Sequence, residues 1–133
     1  MLLCIDIGNT NIVIGLCSDN KWLARWREKT DRDKMPVEYA ILLKALLDEK
    51  GYEFNIIDRV VIASVVPPVR SCFINLFKDY FCIDPLMLGP GIKTGLPIRT
   101  DNPVELGADL VANAVAAYAR LKSSCIIIDF GTA

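Results

Sequence analysis

The sequence contains no histidine. That absence excludes imidazole triads and histidine-ligated metals, so an enzyme built from this chain must move protons with carboxylates, hydroxyls, lysine amines or thiols. A surplus of positive charge is missing as well: 15 Lys and Arg stand against 16 Asp and Glu, and without a basic excess nucleic acid is not an expected partner. There is no long unbroken apolar run. The stretch from Met1 to Leu16 lacks a basic leader, is interrupted by Asp6 and contains turn residues, so it fits neither a secretory signal nor a membrane span. A cytoplasmic protein without a membrane partner is the expectation. The five cysteines, Cys4, Cys17, Cys72, Cys82 and Cys125, are odd in number and have no C-x-x-C spacing, which predicts buried reduced thiols rather than a disulfide frame or a zinc site.

What is present is ample apolar material. At 133 residues and 53% hydrophobic, the chain can bury the core of one ordinary domain or of part of a larger one. Apolar runs from Leu2 to Ile7 and from Ile12 to Cys17 flank Gly8-Asn9-Thr10, and Ser18-Asp19-Asn20 precedes a third run from Lys21 to Arg27, which predicts two hairpins in succession. Trp22, Ala24 and Trp26 alternate with Leu23 and Arg25, the period of an outer strand with one wetter face. From Pro36 to Lys50 the apolar residues Tyr39, Leu42, Leu43, Leu46 and Leu47 fall at helical spacing, with Gly51 just beyond. The Val/Ile-rich run from Arg59 to Val66 predicts a strand covered on both faces, and Pro67-Pro68 opens a helix through Phe81. A short strand at Leu86 to Leu88 leads into GPGIKTGLPIRTDNP, predicted as a loop. Asn102-Pro103-Val104-Glu105 has the form of a capping box, which predicts a helix to about Arg120. Ile126 to Ile128 is then expected as a last buried strand delivering Asp129 to its carboxyl end. Strands alternating with helices make the fold class α/β.

Two stretches echo each other, CIDIGNT near the start and IIDFGTA at the end. Each places an Asp where a buried strand runs out, followed by a Gly that allows a tight turn and close approach of a ligand. Asn9 and Thr10 in one copy and Thr132 in the other offer donors to phosphate oxygens, with a cation held by the carboxylates. Either turn alone reads first as a structural turn; the pair, opposed across a cleft, suits the two ends of a polyphosphate. GPGIKT at Gly89 to Thr94 is not a Walker loop, because its Lys lacks the preceding Gly and the segment does not join a long strand to a helix. Glu105, Asp109 and Asn113 recur at four-residue intervals beside Gly107, Ala108 and Ala112. Asp109, expected about two turns into its helix, is the candidate proton acceptor of a phosphoryl transfer, the alternative being a solvated helix-face charge.

Taken in order, DIGNTN (Asp6 to Asn11), SVVPP (Ser64 to Pro68), GPGIKTG (Gly89 to Gly95), DNPVELGAD (Asp101 to Asp109) and IIIDFGTA (Ile126 to Ala133) resemble the type III pantothenate kinases along essentially the whole chain. The resemblance implies the actin-like and sugar-kinase superfamily, with residues 1–133 as a ribonuclease H-like domain, a mixed sheet flanked by helices, ending where a second half begins. The isolated piece is then not expected to be a competent kinase. The implied activity is ATP-dependent phosphorylation of pantothenate, the first step of coenzyme A biosynthesis, by a cytoplasmic homodimer using Mg²⁺ and a monovalent cation, K⁺ or NH₄⁺. By the same resemblance Asp6, Ile7, Gly8, Asn9, Thr10, Asn11, Ile12, Val13 and Thr132 bind ATP, Asp109 is catalytic, Asp129 and Asp6 hold metal, and Thr100, Gly107, Ala108, Asp109 and Leu110 border pantothenate. The chain departs from the family where Leu110 replaces an Arg and Thr100 a Tyr. Losing a bidentate Arg weakens binding of an acidic substrate by roughly 2 to 5 kcal/mol unless Lys93, Arg99 or a partner subunit replaces it. Two other readings stay open: a kinase of the superfamily with another small hydroxylated substrate, and a non-catalytic nucleotide-binding subunit.

Overall fold

A computed structural model describes residues 1–89, 92–102 and 105–129. The chain opens as the two expected hairpins: β1 (Leu2–Ile7), β2 (Asn11–Ser18) and β3 (Lys21–Lys29), paired antiparallel from Leu2 opposite Cys17 to Ile7 opposite Ile12, and from Asn11 opposite Lys29 to Ser18 opposite Lys21. The second turn is held by Asp19 and Asn20, at φ of 50° and 60°. Successive left-handed residues give a two-residue loop whose twist matches the strands it joins, and Asp and Asn tolerate that region best after Gly.

Helix α1 (Pro36–Glu49) follows, with Pro36 in its first turn and Glu38 accepting the Met35 N–H at 2.8 Å. A 3₁₀ turn at Phe54–Ile56 leads to β4 (Arg59–Ser64), then α2 (Pro67–Phe81), the two-residue β5 (Leu86–Met87) and α3 (Ala108–Leu121). β4 lies parallel to β1 and β5 parallel to β4, so the sheet is mixed, in the order β3-β2-β1-β4-β5. The described part of the 89–103 segment carries neither helix nor strand, as expected.

One face of this sheet is closed. Leu3, Ile5 and Ile7 of β1, Ile12, Ile14 and Leu16 of β2, and Val60 and Ile62 of β4 pack with Tyr39, Leu43 and Leu47 of α1 and Val69, Phe73, Leu76 and Phe77 of α2. Period two on the strands and period 3.6 on the helices bring these residues to one core. Tyr39 and Phe73 meet there with ring centroids 4.7 Å apart.

Four expectations need correction. The period-two pattern of β3 breaks at Leu23: a bulge shifts the register, setting Leu16 opposite Ala24 but Cys17 opposite Trp22. The extra residue turns Trp22 away from the core that Trp26 joins, and lays its ring over Gly15 on the opposite face. Helix α3 begins at Ala108 with Gly107 as its cap. Around the expected capping box the Glu105 N–H instead donates to the Asn102 carbonyl at 3.2 Å, while Pro103 and Val104 lie outside the described residues. Asp109 is therefore in the first turn of α3, not two turns in, and Glu105 is not on the helix. Ile126, Ile127 and Ile128 form no strand and are 91%, 42% and 73% exposed, because no described strand lies beside them to take up their backbone groups or cover their side chains. The cysteines are all free, but only half-buried at Cys4, Cys17 and Cys72 and exposed at Cys82 and Cys125.

Candidate active site

The other face of the sheet carries the polar residues. Because Ile5 and Ile7 point into the core, Asp6 between them points the opposite way, at the carboxyl end of the central strand. The chain then reverses tightly: the Gly8 N–H donates to the Asn11 carbonyl at 2.9 Å, and a Cβ at Gly8 would sit 3.2 Å from that same oxygen, so this position favours glycine.

An open cavity of ≈ 600 Å³ lies over this end of the sheet. The first hairpin lines it with Asp6, Gly8, Asn9, Thr10, Asn11 and Val13; β3 and the end of β4 add Trp22, Ala63 and Val65; α3 adds Asp109, Leu110, Ala112 and Asn113; Asp129 completes the wall. Three carboxylates from segments far apart in sequence thus share one space. Asp6 is exposed to the cavity, yet the walls enclose it enough that partial burial, reinforced by the charges of Asp109 and then Asp129, raises its pKa above the usual carboxylate value. Asp109 accepts the Leu110 N–H at 2.8 Å, and Asp129 accepts a hydrogen bond from the Asn113 amide at 3.0 Å.

Among the described residues no three His, Cys, Asp or Glu side chains converge as a metal cage. The donor set fits a hard, oxygen-liganded cation that keeps most of its ligands as water or phosphate oxygens and takes one or two carboxylates. The like charge that Asp109 and Asp129 set against Asp6 is what such a cation would relieve.

Of the expected site residues, Asp6, Gly8, Asn9, Thr10, Asn11, Val13, Asp109, Leu110 and Asp129 meet in this cavity. Ile7 and Ile12 do not present side chains to it: both are fully buried in the core, since strand alternation turns them to the closed face. Thr100, Gly107 and Ala108 are not part of its wall, although Gly107 lies against the Asp109 carboxylate, where a Cβ would collide with Oδ1. Thr132 lies outside the described residues.

Sequence reasoning missed Trp22, Ala63, Val65 and a group that holds the first turn from behind. Thr30, just past β3, donates Oγ1–H to the Gly8 carbonyl at 2.7 Å and its N–H to the Thr10 carbonyl at 2.9 Å. The Arg32 guanidinium donates to the Asn9 side-chain oxygen at 3.2 Å. Without the bulge in β3, simple counting through the Asp19-Asn20 turn would set Thr30 opposite Asn9; the bulge was the signal needed to place it opposite Thr10.

A mixed five-stranded sheet with flanking helices, and acidic and small polar residues gathered where the central strand ends, make an α/β fold consistent with the actin-like ATPase class. The family model for type III pantothenate kinase matches residues 2–133. The chain is 47% identical over all 133 of its residues to a type III pantothenate kinase of Pelobacter propionicus, 47% to that of Halalkalibacterium halodurans and 48% to that of Geobacter sulfurreducens, covering 52% of each. It belongs to the type III pantothenate kinase family, and it spans about half the length of the curated relatives it matches.

Proposed function

We propose that this chain is the first, ribonuclease H-like half of an enzyme that phosphorylates the primary hydroxyl of pantothenate with ATP, the entry reaction of coenzyme A biosynthesis. The observation that carries the reading is the meeting of Asp6, Asp109 and Asp129 around one cavity beside the Gly8–Thr10 turn. The first turn, Asp6 through Val13, would grip ATP phosphates, with Ile7 and Ile12 contributing backbone only; Thr132 would add a further contact. Asp109 would hold the hydroxyl in line and take its proton as the oxygen bonds to the terminal phosphorus and the bond to ADP breaks. Mg²⁺ and a monovalent cation, held by Asp6 and Asp129 with phosphate oxygens, would neutralise charge on the transferring group. Gly107, Ala108, Leu110 and Thr100 would border pantothenate.

The Leu110 side chain is apolar and 44% exposed on the cavity wall, so the pantothenate carboxylate would draw its charged contact from elsewhere, Lys93, Arg99 or a second subunit. A homodimer in the cytoplasm is part of the same reading; among the described residues no helix is long and apolar enough to cross a membrane. The test is ATP-dependent phosphorylation of pantothenate by the full-length protein. Asp109→Asn is expected to lower turnover by roughly 10²-fold or more. Equal turnover by this variant would remove Asp109 from its role, and turnover of another alcohol in preference to pantothenate would redirect the substrate assignment.

A further inference from the structure

Thr30 is the one buried polar residue among those described, 8% exposed, and both of its hydrogen bonds go to a single place. Its hydroxyl and its amide hold the carbonyls of Gly8 and Thr10, while the Asn11 carbonyl is taken by Gly8. Three carbonyl oxygens of the turn are therefore engaged within the protein. That matters for an anion site, because a carbonyl swung toward a phosphate repels it, whereas an N–H attracts it. All peptide bonds here are trans, so fixing the Gly8 carbonyl toward Thr30 aims the Asn9 N–H the opposite way.

The segment that carries Thr30 is itself tied to the core. The Asp31 N–H donates to the Tyr39 hydroxyl at 3.1 Å and the hydroxyl donates to the Asp31 carbonyl at 2.8 Å, and Tyr39 is 1% exposed against Phe73. The Lys34 ammonium lies 5.3 Å from the Tyr39 ring centroid, and the Cys72 thiol of α2 donates to the Lys34 carbonyl at 3.5 Å. Arg32, on the same segment, reaches the Asn9 side chain.

We propose that Thr30 is a positioning residue: anchored through Tyr39 to the helical layer, it sets the peptide orientation of the Gly8–Thr10 turn for a polyphosphate. The inference rests on the reading of that turn as the ATP-phosphate contact. It differs from a packing role in depending on the hydroxyl, not on side-chain volume. Thr30→Val keeps the shape and deletes the donor, and Thr30→Ser keeps the donor and deletes a methyl group.

The experiment has two arms on the full-length protein. Amide hydrogen exchange, read by NMR without nucleotide, is expected to accelerate about tenfold in Thr30→Val at Gly8, whose N–H closes the turn onto the Asn11 carbonyl, while Ile5 and Ile62 stay as in the wild type, and to return to normal in Thr30→Ser. Steady-state kinetics are expected to show an ATP KM raised roughly tenfold in Thr30→Val with kcat changed less than about threefold, again restored by Ser. Tyr39→Phe, which keeps the ring and frees only Asp31, should raise the ATP KM roughly threefold, and serves if Thr30→Val does not fold. Wild-type exchange at Gly8 in Thr30→Val, or a Ser variant as impaired as the Val one, overturns the proposal; so does an unchanged KM in Tyr39→Phe if that variant has to stand in. A wild-type protein with no affinity for ATP would sink the functional reading instead, and the exchange arm would still decide whether Thr30 holds the turn.

Discussion

The two faces of the sheet are built to different standards. Toward α1 and α2 the inward residues of β1 and β2, with Val60 and Ile62 of β4, are apolar, and Leu3, Ile7, Ile12, Leu16 and Ile62 are 0% exposed. Toward α3 the same strands present Cys4, Asp6, Val13 and Gly15, and α3 has no fully buried residue. The first face is where the free energy of folding is concentrated, since burial of apolar surface is the dominant favourable contribution. The second spends its positions on charge and open space, at some cost in stability, and that is where the carboxylates of the candidate site gather.

The sharpest break between the faces comes from deleting side chains on each. Phe73→Ala on the closed face removes a ring that is 0% exposed and should cost about 3 to 5 kcal/mol, read as a lowered urea midpoint. Leu110→Ala on the open face, where the side chain is 44% exposed, should cost less than about 1 kcal/mol in the same assay. Comparable losses would mean that α3 is as much part of the core as α2.

Gly15→Ala tests the boundary. The added methyl would collide with the Trp22 ring, and since that ring is half exposed and able to swing out, the expected cost is about 1 kcal/mol with a red-shifted tryptophan emission. An unshifted spectrum would mean that Trp22 is not seated over Gly15.

The smallest effect concerns Asp6. Its pKa is raised in the folded state, chiefly by partial burial and then by Asp109 and Asp129, so between its unfolded and folded values the folded state binds more protons than the unfolded one. Stability therefore falls as pH rises through that window, and the penalty is complete above the folded value. Asp6→Asn should stabilise the nucleotide-free protein at pH 7 by roughly 0.5 kcal/mol, a figure kept small because the group faces solvent. That gain should vanish as the pH drops below the ordinary carboxylate value, which a pH series of thermal melts would check. A gain that persists in acid would place its origin in something other than the charge of Asp6. The same variant is expected to weaken nucleotide binding, so the open face would gain stability as it loses function.

Much of this architecture was legible in advance. The β1–β2–β3 meander, α1, β4 and α2 follow from period-two and period-3.6 apolar patterns punctuated by Gly, Pro, Asn and Asp, and in each the local preference agrees with the burial that the fold requires. The candidate site was legible in its acids, because Asp6, Asp109 and Asp129 interrupt apolar or small-residue stretches where packing gives no reason for a charge.

Other features lay beyond any pattern along the chain. A bulge at Leu23 moved Trp22 to the cavity face and set Thr30 opposite Thr10, and one extra residue leaves hardly a trace in composition. The start of α3 at Ala108 went against a well-formed capping signal, as local hydrogen-bonding preferences can satisfy themselves in a turn as readily as in a helix. Ile126 to Ile128 have every preference of a strand and stand exposed, because a strand is completed by its neighbours. Periodicity and punctuation are properties of neighbouring residues and can be read one after another. Register, the partner of a carboxylate and the covering of a face depend on residues distant in sequence, and those distances close only when the chain packs.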